Sequence, residues 1–423
     1  MKPVKALSAL ILTCGLAACA AETAVDPSAR AFAQPEGAEA SEVIAELMSR
    51  RSLLTEGSAY DTVADAVLAA SERASESQLI SAKLRAEAAS KNWFPTLGPS
   101  VSLTDMGDLV AGLLIEQVLF DNGRRKAERE FAAADVEVAA VSLSIDMNTR
   151  VETALGLFVA GLRGDEKAAL GTLALARMQE FERIVTGRVE GGLTDRADQT
   201  VVRNKINGMR SARATAQEAA ATARAELRAM TGQDFDASRA HLQLQAPPQE
   251  AGFLSVLKAE AEATRTVAQT TVQRAGLLPG VSASGTATTD GSGAGLTLNT
   301  PVPLGLGTPA LLKAIDTARE TAERQVGEAE EAARRDHARQ MQRLASFKRQ
   351  AGETAELARA SRDTYELFQA QFKAGQRPVM DVVAIYEELI LREQAHVDAK
   401  YEVVLTQLAL AGDMGLLANG DEI

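Results

Sequence analysis

Apolar positions along this chain switch between two periods, and the switches mark its elements. From about Asp61 to Lys91 the spacing is helical, until Asn92-Trp93-Phe94-Pro95 breaks it. Ser100 to Thr104 then alternates strictly, and Leu113 to Leu119 places Leu113, Ile115 and Leu119 on one face, which predicts two strands. Asp105-Met106-Gly107-Asp108 joins them as a hairpin tip. A long helix is expected next, from about Arg124 to Arg188. Its seam is Phe131, Ala134, Val138, Val141 and Ile145, at alternating three- and four-residue steps. Gly191-Gly192 ends it, and a second helix returns to Gly232.

The same order then recurs. Val281 to Thr288 and Gly295 to Asn299 alternate small apolar residues with hydroxyls, joined by Asp290-Gly291-Ser292-Gly293. A helix is expected from about Pro309 to Lys373, a turn at Gly375-Gln376-Arg377-Pro378, and a helix from Val379 to Leu410. The last helix has the seam Val382, Tyr386, Leu389, Val397, Tyr401, Val404 and Leu408. Sliding Phe181–Gly232 forward by 183 residues puts Gly192 on Gly375, Asp198 on Asp381, Leu227 on Leu410 and Gly232 on Gly415 without a gap. Pro95 meets Pro279 at nearly the same offset. The chain is therefore an internal duplication. Its expected divisions are a signal segment 1–18, a tether 19–60, a first repeat 61–232, a linker 233–250, a second repeat 251–417 and a tail 418–423.

Composition narrows this picture. Aromatic residues make up 4% of the 423, with one Trp, so a large compact core is not expected. The net charge of −12 argues against a nucleic-acid partner. The start is basic, through Lys2 and Lys5, then apolar from Ala6 to Ala18, a stretch too short for a mature membrane helix. Three His, at His241, His337 and His396, sit in no metal-ligand spacing, and no nucleophile motif or cofactor fingerprint is present in the sequence. No enzymatic role is expected.

The strands pose a physical problem. Four are too few to close a barrel, and an open sheet in lipid leaves edge groups unpaired. Closure by further copies of the chain solves it, and three copies give about twelve strands. Trp93, Phe94 and Phe120 all fall at the helix end of the first hairpin, where an interfacial aromatic belt belongs. Glu116 is a candidate for the barrel lumen. The competing reading is a soluble β layer capping a coiled coil.

Over roughly residues 60–417 the chain resembles the TolC-like outer-membrane efflux family. Asn92-Trp93-Phe94-Pro95, Val118 to Gly123, Gly191 to Asp198 and Ala374 to Val382 carry the resemblance, at matching places in both repeats. Leu16-Ala17-Ala18-Cys19 looks like a bacterial lipobox, which implies a lipid on Cys19. The family resemblance implies a mainly α fold with a trimeric twelve-stranded membrane β-barrel and an α-helical tunnel. It implies a homotrimer in outer-membrane lipid, met by a periplasmic adaptor and, through it, an inner-membrane transporter. The function implied is a passive conduit of an efflux pump or a type I secretion system. By the same resemblance Arg377, Asp381, Asp198 and Phe372 are candidates for a periplasmic gate. Gly191, Gly192 and Gly375 are candidates for adaptor docking. A second acid one turn after Asp381 is missing, since Ala384 stands there. Arg377, Asp198 and Asp381 also suit plain helix-terminal roles. The alternative function is a non-channel periplasmic coiled-coil lipoprotein or an adaptor. An adaptor carries one coiled-coil hairpin between compact β domains, whereas two hairpins are expected here.

Overall fold

A computed structural model describes residues 41–71, 73–103, 109–235, 252–288, 291–303 and 305–422. The signal segment, Cys19, the start of the tether, the first hairpin tip, Asp290 and nearly all of the expected linker lie outside these residues.

Eight α-helices, four strands and a closing 3-10 turn at Gly420–Glu422 follow one another among the described residues. They are α1 (Glu42–Ser49), α2 (Ala59–Ala69), α3 (Ala74–Ser90), β1 (Thr96–Leu103), β2 (Leu109–Phe120), α4 (Arg124–Glu190), α5 (Arg196–Thr231), α6 (Leu254–Gly276), β3 (Gly280–Thr288), β4 (Gly291–Asn299), α7 (Thr308–Lys373) and α8 (Val379–Asp413). The duplication is plain: α3, β1, β2, α4 and α5 of the first repeat correspond to α6, β3, β4, α7 and α8 of the second. The strands form one antiparallel sheet in the order β1-β2-β3-β4, so β1 and β4 are its two edges. With 67 and 66 residues, α4 and α7 are each about 100 Å long. They pack in antiparallel pairs with α5 and α8, and α4 also packs against α8, α6 and α3.

Local chemistry fixes where the long helices begin. Asp121 accepts from the backbone N–H groups of Gly123 (3.1 Å) and Arg125 (2.9 Å) at the α4 start. Asn122 takes a φ of 55°, unusual for a residue with a side chain, and its amide donates to the Pro279 carbonyl at 2.9 Å. The turn thereby ties the two repeats together.

Two apolar cores form along the helices. One gathers α1, α2, the middle of α4 and the end of α8 around Leu47, Val63, Met147, Leu155 and Leu408. The other lies toward the helical turns, around Phe181, Val202, Ile206, Tyr365, Val382 and Tyr386. Between them α4 and α8 are laced by charge. Arg163 reaches Asp398 (2.7 Å) and Glu402 (3.1 Å), Lys167 reaches Asp398 (3.0 Å), and Glu166 receives Lys400 (2.6 Å) and the Tyr401 hydroxyl (3.0 Å).

All seven α8 seam positions are buried, as their spacing predicts. In α4, Ala134, Val138 and Val141 are buried while Phe131 and Ile145 are half-buried. The buried face of α4 is wider than one seam, because neighbours flank it on several sides.

Two expectations need correction. The single helix over Asp61–Lys91 is two helices. Ser71 and Arg73 donate to the Leu68 carbonyl at 3.0 and 3.1 Å and close α2. The tether is structured from Ser41: α1 buries Leu47 completely, and Arg50 just after it is almost as buried. The end of the second repeat and the tail are tied to the start of the described chain, where the Ser52 N–H donates to the Asn419 amide oxygen (3.0 Å) and the Gly420 N–H to the Arg50 carbonyl (3.0 Å). Arg50 donates to the Met414 and Gly252 carbonyls, and the buried Asn148 amide oxygen accepts from the Leu417 (2.8 Å) and Ala418 (3.2 Å) N–H groups.

Candidate functional site

Strand register sorts the sheet into two chemical faces. Directly opposed residues of an antiparallel pair share a face. On one face lie Leu97, Pro99 and Val101 of β1, Ala111, Leu113 and Ile115 of β2, Val281, Ala283, Gly285 and Ala287 of β3, and Ala294, Leu296 and Leu298 of β4. A bulge between Val118 and Phe120 shifts Phe120 onto this face, opposite Val281. Ser292, opposite Ala287, and Gln117 also fall here, and the Gln117 amide donates to the Trp93 (2.9 Å) and Val118 (3.0 Å) carbonyls. The other face carries Thr96, Ser100, Glu116, Ser282, Ser284, Thr286, Thr288, Thr297 and Asn299, with Val110, Leu114 and Val118 of β2 among them.

Among the described residues the outer strands leave most of the apolar face exposed. Leu97, Val101, Leu296 and Leu298 are 69, 66, 74 and 73% exposed. Moving each such side chain out of water is worth about 1.5–3 kcal/mol. An apolar patch of this extent marks contact with a membrane or a partner. Among the described residues no helix is long and apolar enough to cross a membrane.

The aromatic candidates sit together at the helix end of the sheet. Phe94 and Phe120 are 69 and 57% exposed, and the Arg129 guanidinium lies 5.6 Å from the Trp93 ring centre. Glu116 is on the hydroxyl face, opposite Thr96 and Ser284.

At the far end of the long helices both turns have one construction. Gly192 and Gly375 adopt φ of 70° and 73°. The next residues, Leu193 and Gln376, donate back to the Arg188 (2.8 Å) and Gln371 (2.9 Å) carbonyls. These are Schellman closures. Gly191 is right-handed at φ −78°, so only two of the three tip glycines answer a backbone demand.

The gate candidates fall into two groups within one chain. Arg377 reaches Gln371 and, at 3.4 Å, Asp381, while its guanidinium stacks 3.8 Å from the Phe368 ring centre. All three partners belong to its own turn. Asp198 stands apart, in the first turn of α5, and accepts from the Thr194 hydroxyl at 2.5 Å. Phe372 is part-buried against the tip core. Sequence reading missed Phe368, whose contact spans the turn, and the Lys205–Glu387 ion pair that joins α5 to α8. The 182-residue separation of that pair leaves no local signal. Among the described residues no group of His, Cys, Asp and Glu could hold a metal ion.

Residues 253–416, nearly all of the second repeat, match the family model described as outer membrane efflux protein. The chain has the TolC-like efflux-channel fold. A membrane protein from Pseudomonas aeruginosa superposes with a TM-score of 0.74 at 14% identity, covering 90% of this chain and 96% of that one. The outer membrane protein VceC from Vibrio cholerae gives 0.72 at 15% identity, over 84% and 96% of the two chains. The open state of the MtrE outer membrane channel from Neisseria gonorrhoeae gives 0.67 at 14% identity, over 89% of each. No curated protein matches the sequence. The efflux-channel fold accounts for the four strands per chain and for the paired long helices.

Proposed function

We propose that this protein is the outer-membrane channel component of an efflux pump or a type I secretion system, a passive conduit built from three copies of the chain. The observation that carries the reading is the sheet. Its largely exposed apolar face suits lipid, its hydroxyl face suits a water-filled lumen, and its unpaired edges require further strands. Three four-stranded sheets give about twelve strands, within the range of membrane barrels. Trp93, Phe94 and Phe120 then lie at one membrane interface, and the helices reach about 100 Å from it into the periplasm.

The helical turns are the proposed meeting point with a periplasmic adaptor and, through it, an inner-membrane transporter. Gly192 and Gly375 allow the tight ends such a contact needs, with Gly191 beside them. The periplasmic gate rests on Arg377, Asp381 and Phe372, with Phe368 beneath the guanidinium, and on Asp198 at the first turn. Threefold symmetry makes Asp381 a ring of three acids, which favours cations in a narrow pore. A lipid on Cys19 anchors the N-terminus to the same membrane. Mass spectrometry of the mature N-terminal peptide checks that anchor, and an unmodified Cys19 contradicts it.

Purified protein in planar bilayers tests the conduit. Stepwise single-channel currents from a species with the mass of a trimer are expected. A monomer in mild detergent that adds no conductance counters the reading and favours a non-channel coiled-coil lipoprotein.

A further inference from the structure

The hydroxyl face of the sheet carries one charge, and nothing around it matches that charge. Glu116 is the only acid or base in the sequences of the four strands. The Thr96 hydroxyl donates to its backbone carbonyl at 3.3 Å. Its carboxylate has no hydrogen bond or ion pair among the described residues. A carboxylate left unmatched on an otherwise uncharged surface sets the sign of the potential there.

Register shows what surrounds it. One row across the sheet runs Thr96, Glu116, Ser284, Gly295. Two hydroxyls and a glycine offer no countercharge. Gly295 has open space where a Cβ would stand, as has Gly98 two residues along β1 from Thr96. The nearby helix ends supply cations, but these have acids of their own. Lys91 pairs with Glu87 (2.8 Å), Arg124 with Glu128 (3.3 Å) and Lys126 with Glu130 (3.7 Å). Glu116 itself stands four residues before the end of β2, close to where the sheet gives way to α4.

We propose that Glu116 sets the charge selectivity of the barrel. One carboxylate from each copy rings the lumen where the sheet meets the helices, and the ring concentrates cationic solutes and turns anions away. The inference rests on the conduit reading above and deepens it, by naming the charge class of solute that the barrel favours.

The size of the lumen decides when such a ring acts. Twelve strands about 4.8 Å apart and tilted about 40° enclose a barrel of about 12 Å radius, which leaves an inward carboxylate about 7 Å from the axis. In about 0.1 M salt the Debye length is about 10 Å, so the field of the ring spans the lumen. In about 1 M salt it is about 3 Å, and the field stays at the wall. The effect of Glu116 therefore fades with ionic strength. The acids proposed for the gate cannot stand in for it. They lie at the other end of helices about 100 Å long, many Debye lengths away.

Thiol labelling reads the charge at the level of Glu116, in the purified full-length protein in a neutral detergent. Gly295→Cys puts a thiol in the Glu116 row, two strands away, and the chain without that change gives the background. Two methanethiosulfonates are compared, one bearing a trimethylammonium and one a sulfonate. The ratio of their rates cancels any change in the thiol's own ionisation. In about 0.1 M salt this cation-to-anion ratio is expected to fall about threefold when Glu116→Gln is added, and the difference to vanish near 1 M. Glu116→Asp keeps the charge and is expected to keep the ratio, which a purely structural role for Glu116 does not predict. A thiol that reacts with the same ratio in Glu116→Gln overturns the ring and leaves the conduit reading intact. So does a ratio that stays constant with salt in Gly295→Cys alone, a result that needs no change at Glu116. A thiol protected at Gly295→Cys while Ala294→Cys on the apolar face reacts overturns both.

Discussion

Arg377 shows how much a single side chain at the tip can be asked to do. Its ion pair with Asp381 is half-exposed and spaced i, i+4. Such pairs contribute about 0.5 kcal/mol or less to stability. Its stacking on Phe368 also closes the turn from within. Arg377→Ala is therefore expected to leave thermal unfolding nearly unchanged while raising single-channel conductance, and to increase cation preference by uncovering Asp381. Asp381→Ala should instead lower cation preference. Bilayer recordings of both variants beside the parent check this, and unchanged currents in both would place the gate elsewhere. The glycines give a sharper contrast. Gly192 and Gly375 need positive φ, so Ala at either is expected to cost about 1–2 kcal/mol. Gly191 does not, and Gly191→Ala should lie within about 0.5 kcal/mol of the parent in denaturant unfolding. Sequence pattern marks all three as helix terminators. Only backbone geometry separates them.

At the scale of elements, the sequence shows whatever is periodic or repeated. The α8 seam, the four strands and both turns follow from spacing and from the 183-residue offset. The break between α2 and α3 does not, because no Gly or Pro marks it. It depends on Ser71 and Arg73 capping the Leu68 carbonyl, and on α2 burying five residues where α3 buries two. Nor is the order of α1 visible locally, since Arg50 gains its partners from residues near 252 and 414. The bulge that turns Phe120 outward is likewise a property of the pairing with β3. The α4–α8 junction yields a prediction of its own. Loss of hydration raises the Glu152 carboxyl above its usual range, and the nearby negative charge of Asp413 raises it further. The folded chain then holds a proton that the unfolded chain has released, across a window just above the ordinary carboxylate pKa. Stability contributed there falls as pH rises through that window. Glu152→Gln removes the penalty. Its melting temperature is expected to exceed the parent's at pH 7, and the gap should close below about pH 4. A gap that is constant with pH would count against it.

At the scale of the whole molecule one asymmetry is decisive. The chain has little aromatic bulk for a compact core, yet it exposes a continuous apolar sheet face over a hydroxyl face. Water cannot be the medium on both sides. The duplicated frame and the four strands were legible in the sequence, and so was the need for more strands than one chain holds. The assignment of each side chain to a face was not, because it depends on the β2–β3 register and its bulge. The most direct measurement is thiol labelling of single cysteines along β4 and β3 of the membrane-embedded protein. With a membrane-impermeant reagent, Thr297→Cys and Thr286→Cys are predicted to label from the aqueous lumen, and Leu296→Cys and Leu298→Cys to stay protected. Equal labelling of all four, or the reverse alternation, would contradict the account.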